Sequence, residues 1–200
     1  MINAIEVAVR GLFAGGTTGS DSNVIDYIEI ATTGNATDFG DLTVSRVYIS
    51  SSGVASSTRG CLAGGESAIT DTIDYVTIAT TGNATDFGNL TVARHQLSGC
   101  GSATRGIWAG GENKNEIDYI TIATTGNATD FGDLNGTCRG IGACSSTTRG
   151  VFGGGTGTFT YAISYVTIAS TGNVTDFGNL TAARYLLGGC GSSTRGLFGG

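Results

Sequence analysis

The residues of this 200-residue chain that could carry chemistry recur at regular intervals instead of meeting in one constellation. Nine arginines fall into two classes, one before an apolar strand and one after an aspartate-containing strand. Such arginines could form a ring that grips an anionic ligand, or they could form Asp–Arg pairs that lock neighbouring units together. We favour the pairs, because a specific site rarely needs every copy. The first class is Arg10, Arg59, Arg105, Arg149 and Arg195, the second is Arg46, Arg94, Arg139 and Arg184, and the aspartates are Asp26, Asp74, Asp118, Asp38, Asp86, Asp130 and Asp176.

Cysteine is the second candidate for chemistry. Cys100, Cys144 and Cys190 each lie five residues before a repeat arginine, so three equivalent thiols could in principle ring a metal. The second repeat has Val54 at that place, which favours small buried residues on tightly packed strands. Five cysteines without CxxC spacing fit neither a disulfide framework nor a zinc site. The sequence therefore predicts no metal and no cofactor.

Catalytic motifs are also missing from the sequence. His95 is the only histidine, and GxSxG, HExxH, P-loop and EF-hand patterns do not occur. Catalysis needs a unique set of convergent groups, and near-symmetric copies do not offer one. We therefore expect a protein that is not an enzyme.

Charge and hydropathy exclude other classes of function. The net charge of −6 leaves no basic face to neutralise phosphates, which argues against nucleic acid and against an anionic membrane surface. No apolar run approaches the ~20 residues that span a bilayer, so membrane insertion is not expected. The N-terminal "MINAIEVAVR" lacks the regions of a classical signal peptide. The sequence reads as a soluble protein without a classical export signal, and it does not fix a compartment.

The elements that must position these residues are set by an internal repeat. An 18-residue phrase, "IDYITIATTGNATDFGDL" from Ile117, returns in close variants from Ile25, Ile73 and Ile163. The Arg-Gly pairs are separated by 49, 46, 44 and 46 residues, a period near those of the WD40 and kelch propellers. The units are approximately residues 10–58, 59–104, 105–148 and 149–194, with a partial unit at 195–200 that the N-terminus would complete.

Each unit carries four strand-like segments, here named A to D. Examples are A, "LSGCGSAT" (97–104); B, "RGIWAGG" (105–111); C, "IDYITIAT" (117–124); and D, "ATDFGNLTVAR" (84–94). On segment C, Ile117 and Tyr119 point to one side and Ile120 and Ile122 to the other, so both faces need cover. Blades packed face to face provide it. Gly126 and Asn127, in the "TTGN" between C and D, are expected to take the positive φ of a tight hairpin.

These segments resemble the kelch repeat. A double glycine, a variable spacer, a tyrosine-containing strand, a later aromatic residue and then an arginine follow the kelch order over nearly the whole chain. The kelch tryptophan is replaced by Phe39, Phe87, Phe131 and Phe177, so the resemblance is to a divergent version. The phrase "ATTGNATDFG" is also similar to repeats in uncharacterised marine-phage and ocean-metagenome proteins.

The resemblance implies an all-β, kelch-like β-propeller of four-stranded antiparallel blades, forming one domain over residues 1–200. The chain has four copies each of segments C and D but five of segment B, which is more strands than four blades need. We expect five blades, the last closed by pairing of N- and C-terminal strands, with "NAIEVAV" as its strand C. A four-bladed ring with a spare hairpin and closure through a second chain remain alternatives.

Differences between the copies point to one face. The B–C spacers and the residues after the D-strand arginine vary in sequence, whereas the A–B links and C–D turns hardly change. In an antiparallel blade the two variable segments emerge on the same face, where drift and ligand binding would both produce variation. The candidate ligand-binding residues are Asp21, Asn23, Glu66, Asp71, Glu112, Lys114, Asn115, Phe159 and Tyr161 on the loops, with Tyr48, His95 and Tyr185 at the border.

The expected function is a non-enzymatic binding propeller, a phage- or virion-associated module that recognises a host-surface glycan or envelope protein. The alternative is a purely structural assembly protein without a small ligand. The chain is expected to be a monomer or a weak homo-oligomer.

Overall fold

The computed structural model describes residues 10–49 and 52–200, which form strands, turns and loops without a helix. The first sheet has β1 (Arg10–Ala14), β2 (Val24–Glu29) and β3 (Thr37–Asp41). The second has β4 (Gly53–Ala55), β5 (Arg59–Ala63), β6 (Thr72–Thr77) and β7 (Thr85–Asn89). The third has β8 (Ser98–Gly101), β9 (Arg105–Ala109), β10 (Lys114–Thr121) and β11 (Thr129–Arg139), with β14 (Thr156–Gly157) added at its edge. The fourth has β12 (Gly142–Ser145), β13 (Arg149–Gly153), β15 (Ala162–Thr167) and β16 (Thr175–Asn179), and a fifth has only β17 (Gly188–Gly191) and β18 (Gly196–Gly199).

Each complete sheet is an antiparallel meander in the order A, B, C, D, as the repeat predicts. In the second sheet, for example, β5 pairs with both β4 and β6, and β6 pairs with β7. A register shift recurs where C meets D, between Ile73 and Asp74 and at the matching places of the other sheets. The first sheet shows only B, C and D among the described residues, and the fifth shows only A and B.

The sheets stack face to face, and the C strands of the second and third sheets each lie between two apolar layers. On β10, Ile117 belongs to the buried cluster shared with the fourth sheet, whereas Ile120 and Ile122 belong to the cluster shared with the second. This arrangement confirms that both faces of segment C are covered. A third cluster, which includes Ile25 and Val76, joins the first sheet to the second.

The sheets are arranged like those of a four-bladed β-propeller, and the all-β class predicted from the repeat is confirmed. The "NAIEVAV" segment expected to supply a closing strand lies outside the described residues. Within the described part of the chain, no helix has the length and apolar character needed to cross a membrane.

The expectation for the C–D turn is right for its glycine and wrong for its asparagine. Gly126 has φ +153°, and the equivalent Gly82 has φ +155°, where a side chain would be strained. Asn127 has no positive φ. Its side-chain Oδ1 instead accepts a hydrogen bond from the backbone N–H of Asn89, 3.1 Å away on the preceding sheet. The asparagine therefore joins two sheets and does not shape the turn.

Candidate functional site

The variable B–C loops and the crossovers between sheets lie together, as the strand order predicts. Val47, in the first crossover, exchanges two backbone hydrogen bonds with Glu66 of the next B–C loop, at 2.8 and 2.9 Å. Glu112 in the third B–C loop donates its N–H to the carbonyl of His95 in the second crossover, at 3.0 Å. The variable segments thus form one continuous surface, which we call the variable face.

A row of backbone hydrogen bonds connects the crossovers of four consecutive units. Gln96 donates its N–H to the carbonyl of Tyr48 at 3.0 Å, and Gly140 donates to Gln96 at 2.9 Å. Leu186 continues the row by donating to Gly140 at 2.7 Å. We call Tyr48, Gln96, Gly140 and Leu186 the crossover ladder. It fixes the distance from one crossover side chain to the next.

All four ladder residues have left-handed backbones, although only one is glycine. The φ angles of Tyr48, Gln96 and Leu186 are +58°, +56° and +58°, and that of Gly140 is +64°. A non-glycine residue in this region costs on the order of 1–3 kcal/mol and persists only where the surrounding structure imposes it. The side chains of Tyr48 and Leu186 are exposed. The fold therefore holds two large apolar side chains at the surface in an unfavourable backbone conformation.

The densest polar group on the variable face surrounds His95. The Nδ1 atom of His95 lies 2.5 Å from a carboxylate oxygen of Glu112, and Nε2 lies 3.7 Å from one of Glu66. The exposed ring of Tyr48 packs at 5.7 Å from the imidazole. His95 itself is only 7% exposed, whereas the side chain of Glu66 is 42% exposed. Four predicted site residues thus meet here, and an aromatic ring lies beside two carboxylates that flank a buried imidazole.

The other predicted residues are dispersed over the face. Tyr161 and Tyr185 are exposed, in the fourth B–C loop and the fourth crossover. Lys114 opens β10 and pairs with Cys138, and the backbone N–H of Asn115 donates to the Glu116 carboxylate at 3.1 Å. Asp21, Asn23 and Asp71 are half-buried, and their backbones make contacts within the chain. Asp21 forms a β-bridge with Thr17, and the carbonyls of Asn23 and Asp71 accept hydrogen bonds from the N–H groups of Leu42 and Leu90, both at 2.7 Å.

Phe159 does not lie on the surface. Its ring is 2% exposed and belongs to the buried cluster between the third and fourth sheets, together with Cys138. An apolar residue in a variable loop can enter the core where its neighbours leave space, and the sequence alone does not separate that case from an exposed aromatic ring. We therefore remove Phe159 from the set of surface contacts.

The second class of arginines builds junctions between sheets. The guanidinium of Arg46 lies 2.5 Å from the carboxylate of Asp74 on the next sheet and also donates to the carbonyls of Gly64 and Thr72. Arg94 and Asp118 repeat this pair at 2.9 Å, and all four side chains are fully buried. Burial lowers the pKa of Arg46 and Arg94, and the neighbouring aspartate opposes that shift. These arginines have no surface for a ligand, so the prediction of Asp–Arg pairs between units is confirmed at two junctions.

Among the described residues, the third junction has no Asp–Arg pair. The structure there corrects the position that the repeat assigned to Arg139. In three units the second glycine of segment B donates its N–H to the backbone carbonyl of Arg46, Arg94 or Arg184. In the remaining unit it donates to the backbone carbonyl of Cys138. Cys138, and not Arg139, therefore occupies the junction position, and Arg139 is exposed. The aspartate position of the next sheet is Ser164, which is fully buried and whose hydroxyl has no hydrogen-bond partner among the described residues. Both members of the pair have been replaced together.

The first class of arginines has a different structural role. Arg59 lies 4.6 Å above the ring of Tyr75, which in turn meets Phe87 edge to face at 5.9 Å. Arg59 also donates to the carbonyl of Ile122 on the next sheet, at 3.0 Å. The same Arg–Tyr–Phe stack recurs in the other three C–D units. The stack accounts for the recurring tyrosines of segment C, the phenylalanines of segment D and four of the five arginines of this class.

The cysteines have the properties of structural residues. Cys61, Cys100, Cys138 and Cys144 are buried, and Cys190 is exposed. Burial raises the pKa of Cys61 and Cys138 to about 12 and raises the pKa of Cys100 further. A thiol that stays protonated at neutral pH is a poor metal ligand and a poor nucleophile. The described residues contain no group of three or more metal-ligating side chains.

Gln96 and Leu186 are the surface residues that the sequence did not single out. Both lie two residues after a junction arginine, as Tyr48 does. That shared spacing is the only signal in the sequence that could have identified the ladder. Comparison with protein-family models and with curated proteins finds no match for this chain.

Proposed function

We propose that the protein is a non-enzymatic binding module that recognises a host-surface glycan or an envelope protein through its variable face. The observation that carries the proposal is the group of Tyr48, Glu66, His95 and Glu112 beside the crossover ladder. An exposed aromatic ring next to carboxylates is the combination that stacks on a sugar ring and accepts hydrogen bonds from its hydroxyls. The scaffold holds Tyr48 in a left-handed backbone conformation, which sets the direction in which its side chain leaves the backbone.

The fold proposed for this module is a five-bladed, kelch-like propeller, closed either by pairing of its own terminal strands or through a second chain. The double-glycine B segments, the tyrosine-containing C segments and the fifth A–B hairpin support it. The similarity of "ATTGNATDFG" to repeats of marine-phage proteins supports a place on a virion surface. Exposed Tyr161 and Tyr185 extend the proposed contact surface along the variable face.

The test is a screen of the whole chain against a glycan panel that includes surface polysaccharides of marine bacteria. Binding that is lost in Tyr48→Ala and kept in Thr80→Ala would support the proposal. Thr80 is the matched control, because it is exposed in the C–D turn, which hardly changes between copies. No binding to any glycan or to intact cells, or equal loss in both variants, would contradict it.

A purely structural role is the second candidate. It is favoured by the two incomplete sheets at the ends of the stack, which are three-stranded and two-stranded among the described residues. These ends present apolar surface of a kind that every internal junction buries.

A further inference from the structure

The internal junctions repeat one set of contacts. Residues of strands B, C and D on one sheet, such as Ile107, Ile117 and Phe131, pack in one buried cluster with C- and D-segment residues of the next. Across the same junction, Arg105 donates to the carbonyl of Ile168 and Asp133 N–H donates to Asn173 Oδ1. Every junction therefore has a donor half, on the preceding sheet, and an acceptor half, on the following sheet.

The fourth sheet carries a donor half whose outer part is uncovered. Phe177 is 56% exposed, whereas the equivalent Phe131 is 2% exposed. A cleft of about 360 Å³ lies between this sheet and the β17–β18 hairpin, and Val151, Ile163 and Phe177 line it. These are the equivalents of Ile107, Ile117 and Phe131, which pack against the next sheet at the third junction. The cleft thus has the composition of a junction that lacks its second half.

The first sheet carries the matching acceptor half. Ile30 is 64% exposed, whereas its equivalents Ile78 and Ile168 are buried at 6% and 2%. Asp26 is only half-buried, whereas its equivalents are fully buried beside arginines, and no described residue pairs with it. The exposed Asn35 occupies the position of the asparagines that accept hydrogen bonds across the other junctions.

The charges of the two ends are complementary. Arg184 occupies the junction-arginine position on the fourth sheet, is half-buried and has no carboxylate partner among the described residues. Asp26 on the first sheet supplies the missing carboxylate. Arg149 at the fourth sheet and the carbonyl of Ile30 would likewise repeat the contact that Arg105 makes with Ile168. A stack of the same chain offers each end the partner that its internal equivalents already have.

We propose that the C–D hairpin of a second copy, formed by β2 and β3, occupies the cleft at the fourth sheet. There it pairs with β18, which has the position of strand B in the fifth sheet and, among the described residues, has no C strand beside it. In its own chain the hairpin pairs with β1, so it exchanges β1 for the partner's β18. The two B strands, "RGLFA" from Arg10 and "RGLFG" from Arg195, differ only in their last residue. The exchange is therefore a head-to-tail domain swap between copies of this chain.

The swap conserves backbone pairing and adds a junction. The five residue pairs between β1 and β2 would be replaced by equivalent pairs with Arg195 and the four residues of β18. Phe177 and Ile30 become buried, the Arg184–Asp26 pair forms, and the open edge of β18 is covered. Exposed strand edges and apolar surface are the features that favour association. The inference rests on the ends of the stack and is independent of ligand binding on the variable face.

The test is light scattering on the eluting full chain over a dilution series, for the wild type and for Arg184→Glu and Asp26→Asn. The wild type is expected to form dimers or longer species that dissociate on dilution, and each variant is expected to be monomeric. Arg139→Glu is the matched control, because Arg139 is exposed and lies outside the junction position. It should assemble like the wild type.

Mixing the two monomeric variants is the decisive step. One unaltered junction remains between Arg184 of the Asp26→Asn chain and Asp26 of the Arg184→Glu chain. The mixture should therefore form dimers that contain one copy of each variant, and these dimers should not assemble into longer species. A wild type that is monomeric at every concentration, or a mixture that stays monomeric, would overturn the proposal, and the former would indicate closure within one chain. Glycan binding by Arg184→Glu is measured in parallel, so failure of assembly and failure of the proposed function are distinguished.

Discussion

The Arg94 guanidinium lies 2.9 Å from the Asp118 carboxylate, and both side chains are fully buried between the second and third sheets. Thr91 completes the pair by donating its hydroxyl to the same carboxylate. At the next junction, Cys138 and Ser164 occupy the two positions. The charges therefore change together, as expected where a buried ion costs more alone than in its pair.

The pair gives the first prediction. Asp118→Ala should lower the free energy of unfolding by about 3–5 kcal/mol, because it leaves the Arg94 guanidinium buried without its carboxylate. The double variant Arg94→Cys with Asp118→Ser copies the third junction. Its loss should be smaller than the sum of the two single losses, with a coupling of about 1–3 kcal/mol. Urea unfolding of Arg94→Cys, Asp118→Ser, their double variant and the wild type measures the cycle, and additive losses would show that the pair does not act as a unit.

Much of this fold could be predicted from the sequence, because the repeat places the same residue types in every sheet. The order of the strands, the two covered faces of Ile117 and Ile120, and the Asp–Arg pairs all follow from periodicity. The register of the third unit did not follow. Arg139 stands one place after Cys138, and only the backbone hydrogen bond to the double glycine shows which of them occupies the junction.

The variable face was less predictable, because burial in a loop depends on its neighbours. Phe159 and Tyr161 lie two residues apart in one spacer, yet the first is in the core and the second is exposed. The meeting of Tyr48, Glu66, His95 and Glu112 also depends on three separate units being stacked, which no local pattern encodes.

Two equivalent glycines test how tightly the sheets pack. A β-carbon on Gly132 would lie 2.5 Å from the backbone of Gly172, whereas one on Gly178 would meet nothing within 4 Å. Their φ angles, +141° and +138°, give similar strain. In an Arg184→Glu background, which keeps the chain monomeric, Gly132→Ala should lower the melting temperature clearly more than Gly178→Ala. Equal losses would mean that backbone strain, and not contact with the next sheet, determines the cost.

The C–D asparagines provide a similar comparison. Asn127→Ala removes the acceptor for the Asn89 N–H and should cost about 1 kcal/mol, the net value of a typical hydrogen bond. Asn35→Ala should cost almost nothing in the monomer, since no described residue donates to its side chain. Chemical denaturation of both variants measures the difference. A large loss at Asn35 would indicate that the asparagine acts within its own turn.

The thiols should differ in reactivity. Cys190 is expected to react at once with a thiol reagent, because it is exposed, and Cys190→Ser should remove this fast phase. Cys61 should react only on unfolding, since burial raises its pKa from 9.0 to about 12. The unfolded chain loses this proton near pH 9, so the stability that Cys61 contributes is intact below that pH and falls as the pH rises toward about 12. Fast labelling of Cys61 in the native protein at neutral pH would contradict its burial.

The central claim is that the repeated residues hold the fold and that the residues differing between copies bind the ligand. The most direct test measures the melting temperature and the affinity for the best glycan of the panel in Tyr48→Ala and in Asp118→Ala. We predict that Tyr48→Ala loses affinity at least tenfold, about 1.4 kcal/mol, without a lower melting temperature. Asp118→Ala should have a lower melting temperature and should still bind the glycan at temperatures below its unfolding transition. If Tyr48→Ala bound like the wild type, the variable face around His95 would not be the binding site.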